Sequence, residues 1–166
     1  MVHARLGIAE ENSGKLVTLV REQARRLAHA AGFDLILMDG PPGIGCPVTA
    51  SLTGVDLALL VTEPGLSGLH DLKRIVELAD HFGVPVLVCI NKYDLNLDQT
   101  GRIEEFCQDR DLPLVGLIPF DPLVNDAQAA GRSLVDFAPD SETAKTLIAI
   151  WRGIEHRLAD LSPTKG

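Results

Sequence analysis

Phe33-Asp34-Leu35-Ile36-Leu37-Met38-Asp39-Gly40-Pro41-Pro42-Gly43-Ile44-Gly45 is the stretch on which the reading of this chain turns. Its first six residues are mostly apolar without alternating, as in a strand covered on both faces of a parallel sheet. An aspartate and a glycine- and proline-rich loop follow at once. Two further runs repeat the plan. Val55 to Thr62 leads into Glu63-Pro64-Gly65, and Val84 to Ile90 leads into Asn91-Lys92-Tyr93-Asp94. A fourth run, Leu112 to Ile118, leads into Pro119-Phe120-Asp121-Pro122, with Pro113 near its start where a missing N–H is tolerated.

Helical spacing fills the intervals. Ser13 to Ala31 carries Leu16, Leu19, Val20 and Leu27 on one stripe and stops at Gly32. Leu69 to Phe82 stops at Gly83, Asp98 to Arg110 carries Ile103, Phe106 and Cys107, and Ser141 to Leu158 starts on a capping serine. Helices alternating with buried strands predict an α/β fold, a mostly parallel sheet flanked by helices. At 166 residues the whole chain, 1–166, fits a single domain.

Composition narrows the function. Lys+Arg 15 against Asp+Glu 23 leaves a net charge of -8, which argues against a non-specific nucleic-acid binder. No apolar run approaches the ~18 residues of a membrane span, so no integral membrane segment is expected. Cys46, Cys89 and Cys107 are scattered, with no CxxC pair and no zinc spacing, which reads as a cytoplasmic chain with reduced thiols.

Ligands of open α/β sheets bind beyond the carboxyl ends of the strands, so the strand-end loops hold the candidates. Asp39 suits holding a Mg²⁺-bound water, and Gly40, Gly43 and Gly45 let a backbone approach a phosphate. The alternative is a rigid turn that Asp39 caps. Asn91 offers both a donor and an acceptor to a purine edge, and the Lys92 stem can lie along a base face. Asp94 can accept from a ring N–H and an exocyclic amine, as guanine presents them. The alternative is a solvated polar turn. Pro119 and Asp121 follow the fourth strand in what is, taken alone, a turn.

Two tempting motifs fail. Ser13-Gly14-Lys15 would need Gly at position 9 and Ser or Thr at 16 to be a phosphate loop, and the chain has Ala9 and Leu16. Gly43-Ile44-Gly45 is not a dinucleotide fingerprint, because position 48 is Val.

Taken together, Asp34 to Gly45, Thr62-Glu63-Pro64, Ile90 to Asp94 and Ile118 to Asp121 resemble the MinD/ParA/Mrp class of P-loop ATPases over roughly Ala4 to Leu158. The resemblance extends to the subgroup with an inserted ferredoxin domain, where Glu11 to Val17 is similar to the stretch after the insertion. It implies an incomplete P-loop NTPase-like fold that binds ATP with Mg²⁺. Asp39 would be catalytic and hold the Mg²⁺ shell through water. Gly43 would lie near the γ-phosphate, Asn91 and Lys92 at the adenine, and Pro119 and Asp121 around the base. Asp39 and Gly43 are spaced unlike the DxxG of GTPases, which favours ATP, while Asn91-Lys92-x-Asp94 keeps a GTP-binding switch open.

The family's loop KGGxGK[ST] and its ferredoxin cysteines do not occur in these 166 residues. The chain therefore reads as a C-terminal portion with weak or no hydrolysis alone, forming a homodimer or joining a separate P-loop-bearing segment. The alternative is a non-enzymatic interaction module pairing through an exposed sheet edge. An amide-ligase reading would need a glutaminase Cys/His pair, and none is evident.

Overall fold

The computed structural model describes residues 1–3 and 13–161. The segment Ala9 to Asn12, on which part of the phosphate-loop argument rests, lies outside them. Three parallel strands, β1 (Ala58–Thr62), β2 (Val86–Asn91) and β3 (Leu114–Ile118), form a sheet in the order β1-β2-β3. Seven α-helices are described: α1 (Ser13–Ala31), α2 (Cys46–Leu52), α3 (Leu66–Phe82), α4 (Leu97–Asp109), α5 (Leu123–Ala129), α6 (Leu134–Phe137) and α7 (Glu142–Leu161). A 3₁₀ turn, Tyr93–Leu95, links β2 to α4. The α/β expectation holds, and the boundaries of α1, α3, α4 and α7 fall close to those read from apolar spacing. The short helices α5 and α6 carried too few turns to show a period.

Strand β2 lies in the middle, and its Val86 to Ile90 are buried. Side chains alternate across a sheet. Ala58, Val86, Val88 and Ile90 join Val48, Leu52, Leu72, Val76, Ala79, Ile103 and Cys107 in the main core, under α2, α3 and α4. Leu87 and Cys89 are buried on the opposite face. There the ladder between β2 and β3 shifts register, Val88 pairing with Leu114 but Cys89 with Gly116, so Val115 is an inserted residue. A Cβ on Gly116 would stand 2.4 Å from Ile150 Cγ1, so a glycine at this position lets α7 seat directly on β3.

The helix ends follow from local chemistry. Gly83 closes α3 in the left-handed region, at φ 64°. Asn96 caps α4 by accepting from Gln99 N at 3.1 Å, and Ser141 Oγ accepts from Ala144 N at 3.2 Å. Arg21 and Arg25 on α1 donate to Gly54 O, and Arg21 also to Ala50 O at 2.7 Å, which clasps α1 to α2.

One strand expectation is overturned. Phe33 to Met38 is not a strand, and no ladder joins it to another described segment. A β-strand exists only through its neighbours, since its N–H and C=O groups have no partners within the segment. The side chains follow the backbone. Phe33 is 70% exposed and Leu37 81%, with Leu35 and Ile36 also exposed. The outer edge of β1 has no ladder partner among the described residues either, and its Leu59 and Val61 are exposed on the face where α7 packs over β3.

Burial pushes the Cys89 thiol up to about 11, and burial followed by the charge of Glu104 does the same for Cys107. Each thiol stays protonated in the folded chain after the unfolded one has ionised. The thiols' contribution to stability is therefore expected to be complete at neutral pH and to be lost as the pH rises through 9 towards 11. Denaturant midpoints between pH 7 and 10.5 check this. The fall should shrink in a Cys89→Ala, Cys107→Ala double variant, measured against its own pH 7 value.

Candidate functional site at the strand ends

The carboxyl ends of β1, β2 and β3 bring Glu63, Asn91-Lys92 and Pro119 to one edge of the sheet. Parallel register sets Thr62 beside Ile90, so the residues that follow, Glu63 and Asn91, are also side by side. Lys92 Nζ stands 2.7 Å from Glu63 Oε1, and Asn91 Nδ2 donates to the same oxygen at 3.4 Å. Both ion-pair partners are more than a third exposed, so the pair adds little to stability and acts by fixing positions. Lys92 takes a left-handed backbone, φ 53° and ψ 41°, which is uncommon for a residue with a side chain and turns the chain sharply out of β2.

Asp94 sits one turn further. Its Oδ1 accepts from Phe120 N at 2.7 Å, tying the loop after β2 to the loop after β3. Asp121 Oδ1 accepts from Leu123 N at 2.9 Å and starts α5, with Pro122 next to it. Thr100 Oγ1 donates to Tyr93 O at 2.7 Å and holds the 3₁₀ turn against α4. The two loops thus form one tethered wall. Asn91, Lys92, Pro119 and Asp121 are each partly buried there, and Asp94 is exposed.

Glu63 was not singled out by the sequence argument, although its signal was available. It is the first residue after β1, in register with Asn91. A further constraint keeps it in place. A Cβ on Gly68 would stand 2.2 Å from Glu63 O and 2.9 Å from Thr62 Oγ1, so the first turn of α3 packs directly on this backbone.

Asp39 and its loop stand apart from that wall. Burial of Asp39 at the end of a covered strand was the premise for needing a cation. The premise is not met, because Asp39 is exposed and follows the unpaired segment. The glycines keep their expected freedom. Gly43 has φ 83°, and a Cβ on Gly40 or Gly43 would meet nothing within 4 Å. This open loop runs into α2, with Gly45 as the N-cap and Pro47 within the first turn. Among the described residues no three His, Cys, Asp or Glu side chains gather as a metal group. An exposed carboxylate on an open loop leaves room for a water between it and an ion.

Residues 14–155 match the ParA family, described as the NUBPL iron-transfer P-loop NTPases. The chain belongs to this family. The ParA-family match covers all three strands and the loops described above. The septum site-determining protein MinD of Helicobacter pylori is 33% identical over 135 residues, covering 75% of this chain and 50% of that protein. The iron-sulfur cluster carrier protein of Aquifex aeolicus is 32% identical over 130 residues, covering 71% and 36%.

The Pyrococcus furiosus cell division ATPase MinD superposes with a TM-score of 0.71 at 25% identity, over 87% of this chain and 59% of that one. The α/β sheet is thus the fold of a MinD-type P-loop NTPase. The chain spans between a third and a half of the length of these two sequence relatives. Among the described residues no helix is long and apolar enough to cross a membrane.

Proposed function

We propose that this chain is the base-binding and switch portion of an ATP-dependent member of the ParA family. The observation that carries the reading is the tethered wall at the strand ends. Asn91 ends the central strand, Lys92 follows it, and Asp94 bonds to Phe120 beside Pro119 and Asp121. Asn91 and Lys92 bind the base, Pro119 and Asp121 line it, and Gly43 meets the terminal phosphate. Asp39 is the catalytic carboxylate and holds Mg²⁺ through water. Bound Mg²⁺ supplies charge neutralisation at the phosphates. ATP is favoured over GTP because Asp94 spends Oδ1 on the Phe120 amide rather than offering both oxygens to guanine.

The phosphate half of the site is a separate matter. Phosphate needs helix N-terminal N–H groups and a lysine, and the described residues around Asp39 supply no ion-pairing cation. A P-loop-bearing segment, upstream in the same polypeptide or on another chain, supplies both. It also supplies a strand for the unpaired Phe33 to Met38 segment and the free edge of β1. With that segment in place the whole ATPase works as a nucleotide-dependent homodimer. A cytoplasmic setting accords with its three free cysteines. The same apolar edge supports the second reading, a purely structural pairing module.

Phosphate release and calorimetry test the proposal. The chain alone is expected to bind ATP weakly and to turn over slowly or not at all. Joined to a P-loop-bearing segment it should hydrolyse ATP, with a loss of about 100-fold or more in Asp39→Ala. Robust turnover by the chain alone that vanishes in Asp39→Ala would contradict the need for a second segment. A GTP preference that disappears in Asp94→Ala would reverse the choice of base. Structural pairing without nucleotide binding would favour the second reading.

A further inference from the structure

We infer that Glu63 is a positioning residue that sets the site's preference for a 6-aminopurine, by fixing which end of the Asn91 amide faces the base. The inference rests on the reading above, in which Asn91 meets the base. An asparagine amide is symmetric in shape, with a carbonyl at one end and an NH₂ at the other. Left free, it accepts from the 6-amino group of adenine in one orientation and donates to the 6-oxo group of guanine or hypoxanthine in the other. Selectivity requires a neighbour that permits only one orientation.

Glu63 is such a neighbour. A carboxylate offers acceptors only, so the amide end facing it must be the NH₂. The structure has this arrangement, with Asn91 Nδ2 donating to Glu63 Oε1 at 3.4 Å. Lys92 Nζ, 2.7 Å from the same oxygen, holds the carboxylate in place. Two backbone features hold the pair from either side: the left-handed conformation of Lys92, and Gly68, whose missing Cβ lets α3 pack against Glu63 O. Asn91 Oδ1 has no hydrogen-bond partner among the described residues. With the NH₂ turned to Glu63, the amide end pointing away from it is Oδ1, and a purine whose position 6 meets that end finds an acceptor, which suits an amine and opposes a carbonyl.

The discriminating experiment titrates the chain with ADP, GDP and IDP, read by side-chain amide NMR, which follows binding even at millimolar affinity. IDP carries the 6-oxo group without the 2-amino group and so isolates position 6. Wild type is expected to favour ADP over IDP by about five- to tenfold, the worth of one hydrogen bond made or opposed. In Glu63→Gln the new amide both donates and accepts, so Asn91 is free to turn and the ratio should fall towards one. Glu63 is exposed, so this isosteric change leaves the core untouched. In an Asn91→Ala background, Glu63→Gln should leave the ratio where Asn91→Ala alone puts it, which a general structural role would not do. A Glu63→Gln ratio equal to wild type, with ADP still bound, overturns the inference alone. No binding of any of the three by wild type overturns the reading of the site and this inference together.

Discussion

Joined to the P-loop-bearing amino-terminal portion of a MinD relative, the chain should bind ATP·Mg²⁺ at least about 100-fold more tightly than it does alone. The expectation follows from how the site divides. The strand-end wall holds base-reading groups, and base contacts through one asparagine and a lysine stem are worth only a few hydrogen bonds. Most of the affinity for a triphosphate comes from N–H groups at a helix N-terminus and a lysine, and from the cation they share it with. The residues around Asp39 offer an open backbone and one carboxylate, which by itself repels phosphate. With net charge -8 the chain has no field to compensate. Calorimetry on the chain alone, on the joined protein and on its Asp39→Ala variant separates the parts. Equal affinity in the first two would mean that phosphate is held by residues of this chain.

Gly116→Val should be the most damaging single substitution on the sheet. The Cβ of any other residue here would lie 2.4 Å from Ile150 Cγ1 and 2.5 Å from its Cδ1. Ile150 is buried in the middle of α7, which packs on β3. Ile150 must leave its rotamer, or α7 must move, to relieve the overlap. Overpacking of this size costs about 3 kcal/mol, which corresponds to a fall of about 6–12 °C in Tm for a chain of this length. Thermal unfolding followed by circular dichroism reads it. The pair is expected to couple: with Ile150→Ala in place, Gly116→Ala should cost much less than it does alone. Additive costs would show that α7 does not seat on Gly116 in solution.

Much of this arrangement was legible in the sequence, for identifiable reasons. The runs Val84 to Ile90 and Leu112 to Ile118 hold β2 and β3 because dense apolar runs after helix-ending residues leave few other options. Asn91, Lys92, Pro119 and Asp121 come together because strand-end loops of a parallel sheet converge by topology. Phe33 to Met38 went wrong for an instructive reason. Its composition is that of a covered strand, but coverage and pairing come from neighbours that local composition does not supply. The burial expected of Asp39 went with it, since that burial was deduced from the strand Asp39 was thought to end. Glu63 was missed because its part depends on lying beside Asn91 in register, a relation that exists only once β1 and β2 are paired. The Asp94 link to Phe120 is likewise a contact across loops, invisible to a motif that also suits guanine.

In the proposed assembly Phe33 to Met38 and the free edge of β1 take up a strand from a P-loop-bearing segment. Amide hydrogen exchange measures this directly, peptide by peptide, in the chain alone and joined to that segment. Fast exchange at Leu35 to Met38 in the chain alone is predicted to slow by orders of magnitude on joining, with added protection at Leu59 to Thr62 and little change in β2. Unchanged fast exchange at Leu35 to Met38 in a joined protein that binds ATP would contradict the claim.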